Sequence, residues 1–504
     1  MACPSSHFSP SLHPQQANMK NLISTFLLLF MPLVAAADNG LRCAKSVFSQ
    51  PDVRFMQKIK SIHADAVIGV KGLPSGLQWN ARRNLVEGKV KAPGTYTYTV
   101  TSSINGQVSE EQIKLIVSDK LAMPLPFMGW LSWNSVEGDV SEAIVKSVAD
   151  MFKANGLFEA GWNTIMMDDL WQARKRTDDG KPLPDPKRFP NSLRPVADYV
   201  HAKGMKFGLY TDAADKTCAG AFGSYGYERI DAEQYAQWNV DIVKCDYCNA
   251  PPEQDTAMVR YRRLGDAFKA VARPITLYIC EWGDRKPWLW GAESGGSCWR
   301  VSADVRDRWT CEPGGTGVVE SIKAMKNIAQ YAGVNRFNDA DMLCTGLHGK
   351  GKSSNDLCFG TPGMTQDEYA TQFALWCMWS SPMALSFDPR ANTLIKEDLK
   401  ILTNRHLIAL NQDRMGQQAD LISDADSLVM FAKDLENGDV ALSVTNMSSK
   451  PLEATFHFTQ IPALDANKRY QCRDLWTGER LSAVKRSFTT KVRPHATRVF
   501  RLSQ

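Results

Sequence analysis

The stretch VDIVKCDYCNA, residues 240–250, runs from apolar residues into a lysine, a carboxylate and two thiols. In an extended strand, residues i, i+2 and i+4 share one face. Lys244, Asp246 and Cys248 therefore lie together, and Cys245 and Tyr247 take the other face. An ammonium beside a carboxylate favours the ionised form, which is the form that attacks an electrophilic carbon. Taken alone, the stretch reads more readily as a strand running into an ordinary polar loop. Similar stretches elsewhere decide between the two readings. Short apolar runs end at Trp130 and Trp133, at Asp168 and Asp169, and at Tyr210 and Asp212. Others end at Glu281 and Trp282, lead to Arg300 and Asp304, or end at Asn338, Asp339 and Asp341. Buried charges are costly unless paired or used. So many strand-end carboxylates, aromatics and cations point to one polar site.

Metal-dependent hydrolysis draws mainly on histidine ligands. The chain has only 8 histidines, and His201 and His348 fall away from the run ends. Carboxylates with tryptophan suit glycoside chemistry better. One carboxylate serves as nucleophile and another as general acid around an oxocarbenium-like transition state. Further carboxylates hold sugar hydroxyls, and tryptophan covers the apolar face of the ring. No metal or cofactor is required.

The elements that must position these residues alternate strand and helix from Leu125 onward. FMGWLSWN, NTIMMDDLW, KFGLYTD, VDIVKCDYC, ITLYICEWG, CWRVSADV, NRFNDADML and MALSF are eight strand segments, most of them followed by a helical segment. That pattern predicts a (β/α)8 barrel, whose active site lies at the C-terminal strand ends. An open doubly wound sheet is the alternative, but no glycine-rich phosphate loop follows the first strand. The barrel is expected over residues 121–415. Before it, TYTYTVTSSINGQVSEEQIKLIVSD alternates and turns at Asn105-Gly106, a hairpin signal in a β module over 38–120. After it, DVALSVTN, EATFHF and TRVFRL give an antiparallel β domain over 416–504.

Residues 19–37, MKNLISTFLLLFMPLVAAA, combine a basic start, an apolar run and a small-residue end. They are expected to be a secretory signal, with residues 1–18 an upstream extension. The mature chain is then secreted or periplasmic, with no membrane span after cleavage. There the 12 cysteines can form disulfides. A net charge of +5 with scattered basic residues carries no nucleic-acid footprint.

In order along the chain stand MGWLSWN, MDDLW, DPKRFPNSLRPVADYVHAKGMKFGLYTD, KTCAG, VKCDYC, CEWG, WRVSADV, NDADML and NQD. From Leu125 to Gln504 the sequence resembles glycoside hydrolase family 27, the α-galactosidases. The module at 38–120 resembles the Ig-like domain found ahead of bacterial members. The resemblance implies retaining hydrolysis of terminal α-galactosides, with Asp246 as nucleophile and Asp304 as acid/base. It implies that Asp168 and Asp169 grip the 4- and 6-hydroxyls and that Lys244 contacts ring hydroxyls beside the nucleophile. It places Tyr210 near Asp246, Glu281, Arg300 and Asp341 around the 2-hydroxyl, and Trp133 as the aromatic wall. It also pairs Cys218 with Cys248. Attack requires Asp246 ionised, and acid catalysis requires a raised pKa at Asp304.

Cys280 with Cys298, and Cys344 with Cys358, are further candidate pairs. Asp212 and Asp339 lie in or just behind the site, and Asp215 and Asp307 read as surface residues. Glu281, as a bulky acid, is expected to exclude a 2-acetamido group, and Asp169 leaves room for the C6 hydroxymethyl. The family also holds α-N-acetylgalactosaminidases, β-L-arabinopyranosidases and isomaltose-releasing dextranases. A galactoside-binding protein without catalysis is the reading from another class.

Overall fold

The computed structural model describes residues 40–311, 315–352, 362–391 and 393–504. The expected secretory signal and Cys358 lie outside them.

Eight strands form one parallel sheet. They are β1 (Met128–Leu131), β2 (Thr164–Met166), β3 (Lys206–Asp212), β4 (Ile242–Asp246), β5 (Thr276–Ile279), β6 (Gly296–Arg300), β7 (Phe337–Asp339) and β8 (Met383–Leu385). Sequential strands pair in order, and β8 pairs with β1. Just past β7, Leu343 bridges Leu385 in parallel and closes the sheet on itself. This is the expected barrel. Its strands are buried on both faces, as parallel strands covered by helices must be.

The helices follow their local signals. Ser141 caps the helix Glu142–Ala154 by accepting the Ile144 N–H. Thr365 and Glu368 form a reciprocal capping box on Gln366–Trp379. That helix is buried on nearly every side because it lies between the barrel and the C-terminal domain. Two positions depart from simple alternation. β5 is followed by a 3-10 turn, Pro287–Leu289, in place of an α-helix. The segment after β8 is two helices, Lys396–Leu402 and Arg405–Asn411, because the Asn404 side chain caps the second.

The N-terminal module has a four-stranded and a three-stranded sheet around its own apolar core, including Val47, Tyr98, Ile113 and Leu115. Its long hairpin, Gly94–Ile104 with Gln107–Val117, turns at Asn105 and Gly106. Both have positive φ, at 50° and 80°, which an Asn-Gly turn accommodates. Ion pairs from Lys58 to Asp420 (2.8 Å) and from Arg83 to Asp434 (2.7 Å) tie the module to the C-terminal domain. The C-terminal domain is an eight-stranded antiparallel sheet. It folds over where Arg480–Lys485 and Ser487–Val492 share only the Lys485–Ser487 pair. The enclosed core includes Leu442, Phe456, Phe458, Tyr470 and Phe500.

Candidate active site

At the C-terminal end of the barrel lies a cleft of about 390 Å³. Its lining includes Trp133, Asp168, Asp169, Tyr210, Lys244, Asp246, Arg300 and Asp304. Eight residues expected at the site from sequence thus meet around one opening.

β4 supplies the centre. Lys244 and Asp246 point to the same side, as strand alternation requires. Tyr210, directly opposite Lys244 on β3, donates its hydroxyl to Asp246 Oδ2 at 2.9 Å. Lys244 Nζ lies 3.7 Å from Asp246 Oδ1, an ion pair beyond hydrogen-bond distance, and the Cys280 thiol lies beside the carboxyl. The Cys218–Cys248 disulfide is formed, and a sulfur lies 3.3 Å from Asp246 Oδ2. A three-membered donor cluster of Asp212 with these sulfurs offers no thiolate to a metal, because the sulfurs are bonded to each other.

Lys244 also donates to Asp168 Oδ2 at 2.8 Å. Burial works against the Lys244 charge, but Asp168 and Asp246 overcome it and hold the ammonium well above its usual pKa. Asp168 and Asp169, separated by one residue from the end of β2, are held by backbone donors. Asp168 Oδ1 accepts the Asp169 N–H at 2.8 Å. Asp169 accepts the N–H groups of Leu170 (2.7 Å) and Ala219 (2.9 Å). Burial pushes Asp169 up to about 6.

Asp304 lies beyond the end of β6. Arg300 donates to it at 3.1 Å, and Arg300 in turn pairs with Asp341 at 2.9 Å. Asp341 also accepts the Val305 N–H at 2.7 Å. It therefore sits behind Arg300 and holds the start of the Asp304 segment rather than lining the cleft. The direction of the pKa shift at Asp304 is opposite to the rise expected from sequence. Burial pushes Asp246 up to about 7, against the pull of Lys244. At Asp304, burial acts upward but Arg300, then Lys244, hold the carboxyl below the usual range.

Glu281 is not brought into the cleft. In the β4–β5 register Lys244 pairs with Tyr278 and Cys245 with Ile279. Alternation then turns Cys280 inward with Asp246 and Glu281 outward. Glu281 is fully buried and accepts the Arg285 backbone N–H at 2.7 Å and its guanidinium at 3.2 Å. Trp282, two residues past Cys280, lines the cleft instead. Trp282, Met342 and Glu137 are lining residues not assigned from sequence. For Cys280 the same alternation that oriented Lys244 and Asp246 was the available signal, whereas Trp282 lies past the strand end with a φ of 57°.

Other expectations divide. Asp212 is buried behind Asp246, accepts the Ala214 and Cys248 N–H groups, and is pushed up to about 8 by burial and by Asp246. Asp339 is buried against Tyr278. Asp307, expected at the surface, is fully buried because three donors converge on it: Gly349 N–H, Met364 N–H and the Tyr369 hydroxyl. Cys280 and Cys298 are both buried free thiols rather than a pair, and Cys344 is a buried thiol.

The barrel and its carboxylate cleft define a glycoside hydrolase. Residues 125–413 match the family model described as alpha galactosidase A, and 425–502 match the alpha galactosidase C-terminal beta sandwich domain. A probable α-galactosidase of Dictyostelium discoideum is 33% identical over 73% of this chain and 90% of its own length. The crystal structure of a putative α-galactosidase from Bacteroides fragilis is 34% identical with a TM-score of 0.72. It covers 92% of this chain and 98% of its own, a share that residues 121–504 alone cannot fill, so the likeness extends into the N-terminal module. An α-galactosidase from Saccharomyces cerevisiae solved with raffinose is 25% identical, covers 75% of this chain and 98% of its own, and has a TM-score of 0.68. The chain belongs to the α-galactosidase family, glycoside hydrolase family 27.

Proposed function

We propose that the chain removes terminal α-galactosyl residues with retention of configuration, using Asp246 as nucleophile and Asp304 as acid/base. The observation that carries this reading is the convergence of both carboxylates with Lys244, Tyr210, Asp168 and Asp169 on one cleft at the barrel's C-terminal end. Asp246, fixed on a strand, attacks the anomeric carbon and forms a galactosyl ester. Tyr210 and Lys244 stabilise its negative charge before attack and again as the ester breaks. Asp304 gives its proton to the leaving oxygen, then takes one from the water that hydrolyses the ester. Attack needs Asp246 ionised and the proton on Asp304.

Asp168 and Asp169 are assigned to the 4- and 6-hydroxyls. Their carboxylates are held by the Lys244 ammonium and by backbone N–H groups, so they are fixed before a sugar arrives. Trp133 forms the aromatic wall. Exclusion of a 2-acetamido group is assigned to Trp282 rather than Glu281, because the Trp282 side chain faces the cleft. The substrate class is an α-galactoside oligosaccharide or polysaccharide. Export is supported by the disulfide beside the nucleophile, since such bonds persist in oxidising compartments. No helix among the described residues is long and apolar enough to cross a membrane.

The test is hydrolysis of p-nitrophenyl α-galactoside, α-N-acetylgalactosaminide, β-L-arabinopyranoside and α-glucoside by the purified protein and by Asp246→Asn. The expected result is cleavage of the α-galactoside alone, lost in the variant. Preference for another sugar overturns the roles of Asp169 and Trp282. Equal turnover by the variant overturns the nucleophile.

A further inference from the structure

The barrel sheet does not hold Asp304. β6 ends at Arg300, and the carboxyl lies on the segment that follows. Besides backbone bonds to residues 316–319, three attachments involving side chains fix that segment. Val305 donates its N–H to Asp341. Asp307, fully buried, takes the Tyr369 hydroxyl and two backbone N–H groups. The third attachment comes from another domain. The Trp309 ring stacks on His495 with centroids 4.4 Å apart and planes within 11°.

His495 stands in the turn between the C-terminal strands Ser487–Val492 and Thr497–Ser503. Its φ is 54°, a left-handed conformation that a non-glycine residue keeps only where its surroundings over-determine it. Those surroundings are visible. Its Nδ1 lies 2.6 Å from Glu368 Oε1, and its carbonyl accepts the Thr371 hydroxyl at 2.7 Å. The other oxygen of Glu368 closes the cap of helix Gln366–Trp379 by accepting the Thr365 N–H at 2.8 Å. The imidazole is thus locked at its edge by a buried helix and offers its flat face to the segment bearing Asp304. Tyr369, next to Glu368, holds Asp307 from the same helix. One rigid element therefore grips the segment twice, once directly and once through the C-terminal domain.

We propose that His495 is a positioning residue for Asp304, acting through Trp309, so that the C-terminal domain completes the leaving-group half of the active site. This rests on the assignment of Asp304 as acid/base. A displacement of about 1 Å at a proton donor costs on the order of 100-fold in rate. The effect falls on substrates whose leaving group needs a proton.

The experiment compares kcat/KM for methyl α-galactoside, a poor leaving group, with 2,4-dinitrophenyl α-galactoside, which departs unaided. Asp304→Ala sets the reference pattern: collapse on the first substrate and near-normal rate on the second. His495→Ala is expected to lose roughly 10- to 100-fold on the methyl glycoside and to hold the dinitrophenyl rate near wild type. His495→Phe, which keeps a flat ring on Trp309, recovers most of the loss. Trp309→Leu reproduces the pattern, and it carries the test if His495→Ala does not fold. Equal losses on both substrates in the His495 and Trp309 variants, or no loss in either, overturn the positioning role while Asp304→Ala still reports its own assignment. If Asp304→Ala shows no dependence on leaving group, the acid/base reading falls and the proposal falls with it.

Discussion

The two carboxylates proposed to flank the reacting bond are built in opposite ways. Asp246 is the last residue of β4; its side chain is 8% exposed and braced by Tyr210 and Lys244. Asp304 lies beyond its strand on an irregular segment, is 42% exposed, and among the described side chains is hydrogen-bonded by Arg300 alone. A nucleophile must meet one carbon along one line, and a strand end gives that precision. An acid that later serves as base must follow the leaving oxygen and then a water, and a loop permits the change. The cost is that the loop's placement is delegated to contacts outside the barrel sheet, the Asp341, Tyr369 and His495 attachments.

The sharpest way to break this contrast is at the nucleophile. Asp246→Asn should lower kcat/KM for every α-galactoside by at least about 10⁴-fold, whatever the leaving group. Asp304→Ala should cost about 10²–10⁴-fold with poor leaving groups. In that variant azide should restore turnover of the dinitrophenyl substrate as α-galactosyl azide, because the β-linked ester still forms and azide displaces it with a second inversion. If both variants respond alike to leaving group, the two carboxylates do not divide the labour as described.

The pH dependence refines the contrast. The pair shares one proton, so kcat/KM against pH should be bell-shaped. The basic limb should lie near 7, where burial has pushed Asp246. The acid limb should lie below the ordinary carboxylate range, where Arg300 and Lys244 hold Asp304 against burial. Lys244→Met removes a charge that lowers both groups, so both limbs should move to higher pH. A fixed profile in that variant would show that Lys244 acts only on the sugar.

Stability should show the cost of so many buried carboxyls. Asp212 at about 8, Asp246 and Glu281 at about 7, and Asp169 and Asp339 at about 6 are all raised above their unfolded values. A raised carboxyl favours the fold while protonated. That contribution is complete below about pH 4 and is lost as pH climbs through 6 to 8. Thermal unfolding should therefore show Tm falling over that window, and binding of galactose should reduce the fall.

The smallest effect is expected at Glu281. Glu281→Gln should change kcat and KM for α-galactosides by under about threefold, since the carboxyl faces Arg285 rather than the cleft. Trp282→Ala should instead admit 2-acetamido substrates. The reverse result would restore Glu281 to the 2-hydroxyl.

These two neighbours also show where sequence reading works. Strand-helix alternation and the run ends were enough to bring Asp168, Asp169, Tyr210, Lys244 and Asp246 to one end of a barrel. Alternation has a strict parity within a strand, and it oriented β4 correctly. At β5 the run-end rule alone put Glu281 in the site, whereas parity carried across the β4–β5 register turns Cys280 inward and Glu281 outward. Asp307 read as exposed because its local sequence, DVRDRW, is polar. Its burial depends on Gly349, Met364 and Tyr369, which are distant in sequence and arrive only with the tertiary fold. The stack of Trp309 on His495 is hidden for the same reason, since it joins residues 186 positions apart in different domains.

The most direct test of the account is to trap the glycosyl ester. The protein would be incubated with 5-fluoro-α-D-galactosyl fluoride, digested, and its peptides sequenced by mass spectrometry. The account predicts one galactosyl adduct, on Asp246, formed as activity is lost and released slowly as activity returns. An adduct on another residue, or no adduct with β-galactose as the first product of substrate turnover, would contradict it.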